Sequence, residues 1–154
     1  MSKVHIEESR VINAPPHQVY ALLADYRVGH PSILPKPYFD DYQLEQGGEG
    51  VGTVVRVTLR VMGTETKFRL VVTEAEPGKL IKEADPDAGT ETVFTFTPSG
   101  DGSQTLLTIA TDFTPTTGLR GLLERLMNPP ITRRIYREQL GLIADRFASP
   151  PAQT

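Results

Sequence analysis

The chain has 154 residues, a formal net charge of -3 and 38% hydrophobic residues, a composition that suits one domain with a substantial core. It contains no cysteine, which excludes disulfides, thiolate catalysis and sulfur-based metal sites. No apolar run approaches the roughly 20 residues that a membrane-spanning helix needs, and the first residues lack the apolar core of a signal peptide. We therefore expect a cytoplasmic protein with no transmembrane segment. The negative net charge also argues against nucleic acid as a partner.

The chain opens with an alternating Val and Ile pattern that predicts a strand over residues 3–13. Two prolines then precede an apolar segment, which predicts a short helix over residues 17–25 that is entered through proline. Residues 26–37 hold a glycine, His30 and three prolines, so no more than a short helical turn over residues 28–32 is expected there.

From Tyr38 to Phe113 the sequence alternates with period two and is interrupted by turn residues, a pattern typical of consecutive antiparallel strands. In the third predicted strand the apolar side chains point inward, while Arg56 falls on the outward face. Arg69 falls on the outward face of the next strand. The six predicted strands are 38–46, 53–61, 65–76, 79–84, 91–98 and 104–113.

The last long segment, Thr117 to Ala148, is predicted to be a helix with a break or kink at residues 128–130. Asn128 followed by Pro129 is typical of a helix that restarts. After the break, one apolar stripe is expected to face the sheet, with Ile135 and Leu142 flanking it. The members of this stripe are Tyr136, Leu140, Ile143 and Phe147. Before the break, the apolar positions are Leu119, Leu122, Leu123, Leu126 and Met127.

One strand, two short helices, six strands and one long helix predict an α+β domain, because a single amphipathic helix can cover only one face of an antiparallel meander. We expect a single domain over residues 1–148 and a loose tail over residues 149–154.

Several segments resemble the START and Bet v 1-like helix-grip superfamily, specifically its polyketide cyclase/dehydrase-like branch. They are residues 12–16 after the first strand, 19–25 in the first helix, 50–53 before a strand, 98–105 before the last strand, and the end of the last helix. Family members often carry Trp in the first helix and in the turn after it. This chain has no Trp and carries Tyr20 and residues 26–31 there.

The resemblance implies a curved sheet that grips the last helix, with a largely apolar cavity between them for a hydrophobic or aromatic molecule. A curved sheet cannot contact a straight helix along its whole length, which also favours a ligand site. Glu83 and Asp85 are near the expected mouth, but their short strand has no clear facing. The candidate ligand-binding residues are His30, Tyr38, Phe68, Phe94, Phe96, Thr111, Thr132 and Tyr136.

The sequence contains no catalytic motif of the common hydrolase, metalloprotease or nucleotide-binding types. Its three histidines lie in separate elements without metal-ligand spacing, so we expect neither a metal nor a cofactor. A cluster of arginines on the last helix is interpreted as a solvated face, with an anionic partner or membrane surface as the alternative. These arginines are Arg120, Arg125, Arg133, Arg134 and Arg137.

Three functional hypotheses remain. The first is a non-enzymatic protein that binds a lipid, an isoprenoid or a polyketide-like molecule. The second is a polyketide aromatase/cyclase, a lyase or isomerase without metal, in which His30, Tyr38 and Tyr136 act as acid or base groups. The third is a protein- or membrane-interaction module with a collapsed cavity. A monomer or weak homodimer is expected in each case.

Overall fold

The computed structural model describes residues 3–148, apart from the side chains of residues 122, 123 and 125–127. The predicted tail over residues 149–154 therefore lies outside the described parts. So do the side chains at four of the five apolar positions before the prolines, namely Leu122, Leu123, Leu126 and Met127. The elements in chain order are β1 (Val4–Ile12), α1 (Pro16–Ala24), α2 (Gly29–Ser32), β2 (Phe39–Gln46), β3 (Val54–Val61), β4 (Thr64–Glu76), β5 (Leu80–Asp85), β6 (Thr90–Ser99), β7 (Gln104–Phe113) and α3 (Gly118–Arg146).

The seven strands form one antiparallel sheet in the order β1-β7-β6-β5-β4-β3-β2. Strands β2 to β7 pair with their neighbours in sequence, which confirms the predicted meander and the α+β class. The first strand pairs with the last, with Val4 opposite Phe113. Register shifts between β2 and β3 and between β4 and β5 interrupt the pairing ladders, and such irregularities bend and twist strands locally.

The alternation in β3 and β4 sets which side chains face the helix. Arg56 and Arg69 lie on the outer face, as predicted, and both pair with Glu45; the Arg69 Nε–Glu45 Oε2 distance is 3.1 Å.

A tight turn joins β3 to β4, where Met62 and Gly63 both have positive φ, of 49° and 79°. Positive φ at both central residues is the geometry of a tight two-residue hairpin turn, whose twist matches that of the strands.

One half of the inner sheet face is filled by a packed core. Helix α1 buries Val19, Tyr20 and Leu23, while Leu22 is only partly buried. The last turns of α3 add Leu140 and Ile143, both almost fully buried. This core includes the strand residues Ile12, Val55, Val72, Ile81, Phe94, Phe96, Leu107 and Ile109.

Helix α3 is continuous across Pro129 and Pro130, so the expected restart with Asn128 as N-cap is wrong, whereas a kink at the prolines stays a prediction. Proline fixes φ near a helical value, so both residues can keep a helical backbone although two N–H donors are missing. Described residues on both sides of the prolines make contacts outside the helix ladder. Before them, Glu124 accepts hydrogen bonds from the backbone N–H and hydroxyl of Thr116, at 2.9 and 3.0 Å. After them, Ile135 is buried.

At 29 residues, α3 is about 43 Å long, enough to run the full length of the inner face. In the predicted apolar stripe, Leu140 and Ile143 are buried and Tyr136 and Phe147 are partly buried. Of the two flanking residues, Ile135 is buried and Leu142 is 38% exposed. Among the described residues, no helix combines the length and apolar character needed to cross a membrane.

Candidate functional site

A cavity of about 820 Å³ lies between the sheet and α3, beside the packed core. Its walls come from the inner faces of β3 and β4, from β6 and β7, and from α3 as far as Gln139. The apolar wall residues are Ile6, Leu34, Phe39, Val55, Val57, Leu59, Val61, Met62, Phe68, Leu70, Ala88, Phe94, Phe113, Ile131 and Ile135. Most of the surface that a ligand would meet is therefore hydrophobic.

A polar cluster at one end of this cavity begins with the turn after α1. The Asp25 carboxylate accepts hydrogen bonds from the backbone N–H groups of Arg27, Val28 and Gly29, at 3.1 to 3.2 Å. Burial alone would raise the pKa of Asp25, but these hydrogen bonds outweigh it and lower that pKa. The Asp25 carbonyl also accepts from the His30 N–H at 2.7 Å. This turn directs the side chains of Tyr26 and His30 to the cavity.

The rings of Tyr26 and His30 are stacked, with centroids 4.4 Å apart and planes inclined by 13°. His30 Nδ1 lies 2.8 Å from the Leu23 carbonyl oxygen. Because a carbonyl only accepts, Nδ1 must carry the hydrogen, and the other ring nitrogen, Nε2, faces Glu83 Oε1 at 3.5 Å. His30 and Glu83 are each only 4% exposed.

The hydroxyl of Tyr26 donates a hydrogen bond to Glu83 Oε1 at 2.5 Å. Burial, together with the nearby negative charge of Glu83, raises the pKa of Tyr26, so this hydroxyl stays protonated as a donor. Tyr42 supports the arrangement by donating to the Tyr26 carbonyl oxygen at 2.7 Å. The result is a buried tyrosine–glutamate–histidine cluster that lines one end of the cavity.

A second polar group spans the sheet and α3. The hydroxyls of Thr92 and Thr111 are hydrogen-bonded at 2.7 Å, and that of Thr111 also bonds to the hydroxyl of Tyr136. Burial raises the pKa of Tyr136, which keeps it protonated. Gln139, one turn farther along α3, lines the cavity and is 3% exposed.

Six of the eight predicted ligand-binding residues line the cavity: His30, Phe68, Phe94, Thr111, Thr132 and Tyr136. The other two lie elsewhere. Phe96 belongs to the packed core, where its ring meets that of Tyr20 edge to face at 5.4 Å. Tyr38 precedes β2 and is half-buried, and its carbonyl accepts from the Arg60 N–H at 2.7 Å.

Sequence reasoning did not single out Tyr26 or Gln139, and it left the facing of Glu83 and Asp85 open. The structure separates the two acids by role. Glu83 lines the cavity, whereas Asp85 accepts from three backbone N–H groups, those of Arg69, Asp87 and Ala88, and so stabilises the β5–β6 turn.

Three of the arginines of α3 have carboxylate neighbours, and the side chain of Arg125 lies outside the described parts. Arg120 lies 3.4 Å from Glu124, Arg134 lies 3.6 Å from Glu138, and Arg137 reaches Glu8 at 3.0 Å. Exposed pairs of this kind add little stability and are usual on a solvated helix face. Binding of an anionic partner to this face stays a prediction. Among the described residues, His, Asp and Glu side chains nowhere meet in the groups of three that could hold a metal ion.

The sequence matches, over residues 3–148, the family model described as polyketide cyclase/dehydrase and lipid transport. No functionally curated protein matches it. The solution structure of the KanY protein is 28% identical, with 96% of this chain and 99% of that one covered and a TM-score of 0.82. The Zhui aromatase/cyclase from Streptomyces sp. R1128 is 20% identical, with 94% and 93% covered and a TM-score of 0.75.

A more distant likeness is to norcoclaurine synthase from Thalictrum flavum, whose structure contains dopamine and hydroxybenzaldehyde. It is 14% identical, with 97% of this chain and 91% of that one covered and a TM-score of 0.67. At this level of identity, the synthase and the aromatase/cyclase share the fold with this chain.

Proposed function

Because the chain belongs to the polyketide cyclase/dehydrase and lipid transport family, we propose that it binds a mainly apolar small molecule, such as a lipid, an isoprenoid or a polyketide-like compound, between the sheet and α3. The cavity is the observation that carries this proposal. Its volume of about 820 Å³ lies within the range of small-molecule sites, and its lining combines apolar walls with a few converging polar groups. The ligand-binding residues we propose are His30, Phe68, Phe94, Thr111, Thr132 and Tyr136, joined by Tyr26 and Glu83.

The cavity bears on the other two hypotheses. An interaction module with a collapsed interior requires the space to be filled, and the described side chains leave it open.

Catalysis is a second candidate, favoured by the Tyr26–Glu83–His30 cluster. A histidine beside a buried carboxylate can transfer protons to a ligand within hydrogen-bond reach. An acid–base role for His30 and Tyr136 therefore remains in this second candidate, while Tyr38 lies outside the cavity lining.

A cavity-blocking variant tests the proposal. Val57 lies on the inner face of β3 opposite Phe68, and Arg56 next to it is exposed on the outer face. Val57→Trp should place an indole in the cavity, while Arg56→Trp adds the same ring outside. We expect the fluorescent probe N-phenyl-1-naphthylamine to bind the unaltered protein and Arg56→Trp with similar affinity, and Val57→Trp at least about ten-fold more weakly.

Absence of probe binding to the unaltered protein, or equal binding to both variants, would contradict the proposed location. Native mass spectrometry of the protein purified from its own host complements this assay, because a co-purifying apolar compound would identify the natural ligand. For the second candidate, incubation with a linear polyketone followed by product analysis would reveal cyclisation. His30→Gln should abolish any such product.

A further inference from the structure

The two oxygens of Glu83 have different surroundings. Oε1 accepts from the Tyr26 hydroxyl at 2.5 Å and faces His30 Nε2 at 3.5 Å. No hydrogen bond from the described residues reaches Oε2. Yet none of the described residues has a fully buried side-chain oxygen or nitrogen without a partner. Within the described residues, Oε2 is therefore not sealed off from open space, and the space that Glu83 lines is the cavity.

The buried carboxylate of Glu83 has fewer hydrogen-bond donors around it than it can accept. A carboxylate can accept about four hydrogen bonds, and burying its charge is costly unless they are made. Within the described residues, Glu83 accepts one short hydrogen bond from Tyr26, and His30 Nε2 lies farther away, at 3.5 Å. The hydrogen of His30 Nδ1 is used by the Leu23 carbonyl, so Nε2 is the only ring nitrogen left to face Glu83 and the cavity.

Aromatic rings surround the same end of the cavity. The stacked pair of Tyr26 and His30 lies against Phe94, whose ring meets that of His30 edge to face with centroids 5.6 Å apart. A flat ligand ring fits such a setting, since offset and edge-on aromatic contacts are favourable. A hydroxyl on that ring is a stronger donor than an aliphatic alcohol because it is more acidic.

We propose that Glu83 and His30 form a subsite for a phenolic or enolic hydroxyl group, which donates to Glu83 Oε2 beside His30 Nε2. This inference rests on the proposed function and narrows it from apolar molecules in general to hydroxylated aromatic or enolic ones. A plain acyl chain would fill the apolar walls and leave Oε2 without a donor.

Two probes of nearly the same shape test the inference. 2-Naphthol carries a donor hydroxyl, and 2-methoxynaphthalene presents the same ring with the donor blocked. By isothermal titration calorimetry, we expect the unaltered protein to bind 2-naphthol about ten-fold or more tightly than 2-methoxynaphthalene, since one hydrogen bond to a charged group has this effect. Glu83→Gln keeps the shape of the side chain and should bring the two affinities within about three-fold of each other.

Glu91→Gln is the matched control, because Glu91 lies on β6 across from β5 and approaches the Lys82 Nζ at 4.0 Å. It should keep the preference of the unaltered protein. Equal binding of both probes by the unaltered protein would overturn the hydroxyl subsite and leave the proposed function intact. Binding of neither probe would also overturn the subsite, and the N-phenyl-1-naphthylamine assay then decides separately whether the proposed function stands. A preference that persists in Glu83→Gln would also overturn the subsite.

A measurement on the unaltered protein avoids any dependence on the folding of the variant. The carboxyl carbon of Glu83, observed by ¹³C NMR in labelled protein, should shift when 2-naphthol is added and respond much less to 2-methoxynaphthalene. The same response to both probes would refute a direct contact between the hydroxyl and Glu83.

Discussion

Replacing Tyr26 with Phe isolates the hydrogen bond that ties the turn after α1 to Glu83 on β5. The substitution removes one oxygen and retains the ring that stacks on His30. The lost bond is short, buried and made to a charged group, and such bonds contribute about 1.5–3 kcal/mol. We therefore expect Tyr26→Phe to lower the free energy of unfolding by about 2 kcal/mol, measured by urea denaturation.

Tyr42→Phe is the matched comparison, because the half-buried hydroxyl of Tyr42 donates to a neutral backbone carbonyl. Neutral bonds contribute about 0.5–1.5 kcal/mol, so this change should have the smaller effect. A double-mutant cycle with Glu83→Gln should give a coupling energy of about 1 kcal/mol or more between Tyr26 and Glu83. A destabilisation by Tyr26→Phe that is no larger than that by Tyr42→Phe would contradict a stronger hydrogen bond at Glu83.

Two further predictions concern other parts of the molecule. The hydrogen bond to Asp112 raises the pKa of His5 above its ordinary 6.5, so the small stabilisation from protonated His5 is present below that value and lost as the pH rises through the folded-state pKa. Asp112→Asn should lower the His5 pKa in an NMR titration, and an unchanged value would contradict the pairing. Gly29→Ala should destabilise strongly because the added Cβ would overlap the Leu22 carbonyl oxygen. In α3, Gly141→Ala should be neutral or stabilising by up to about 1 kcal/mol, since its Cβ would lie 3.6 Å from Arg10 Nη1; equal losses in urea denaturation would refute this contrast.

The strand pattern was readable from the sequence because β3, β4, β6 and β7 each place apolar residues on one face at period two. Hydrophobic alternation and short turns then fix an antiparallel order with little ambiguity. For the same reason, inward residues such as Phe68, Phe94 and Thr111 were identified correctly as facing the helix.

The polar cluster was harder to predict because its members break the rule that made the strands readable. In β5 the inward positions are Ile81, Glu83 and Asp85, so hydrophobicity alone does not reveal the facing. The pairing of β5 with β6 shows which face Glu83 occupies. Asp85 is opposite Thr90, which places Glu83 opposite Thr92, two residues from Phe94 and on the same face.

The orientation of Tyr26 could not be predicted from the sequence for a different reason. It follows α1 in a segment rich in glycine and proline, where periodicity gives no information about direction. Its orientation depends on the Asp25 carboxylate binding three backbone N–H groups and on a partner 57 positions away in sequence. The continuity of α3 through two prolines likewise departs from local propensity, which predicts a break at Pro129 and Pro130.

The empty volume between the sheet and α3 links ligand binding to thermal stability. Among the described residues, no side chain fills the space between these walls, so a molecule that fills it binds the folded state and has no equivalent site in the unfolded chain. At a free concentration 100 times its dissociation constant, such a molecule stabilises the fold by about 2.7 kcal/mol. For a chain of this size that raises the melting temperature by about 5–10 °C. A compound library can therefore be ranked by the melting temperature of the protein before the chemistry of its ligand is known.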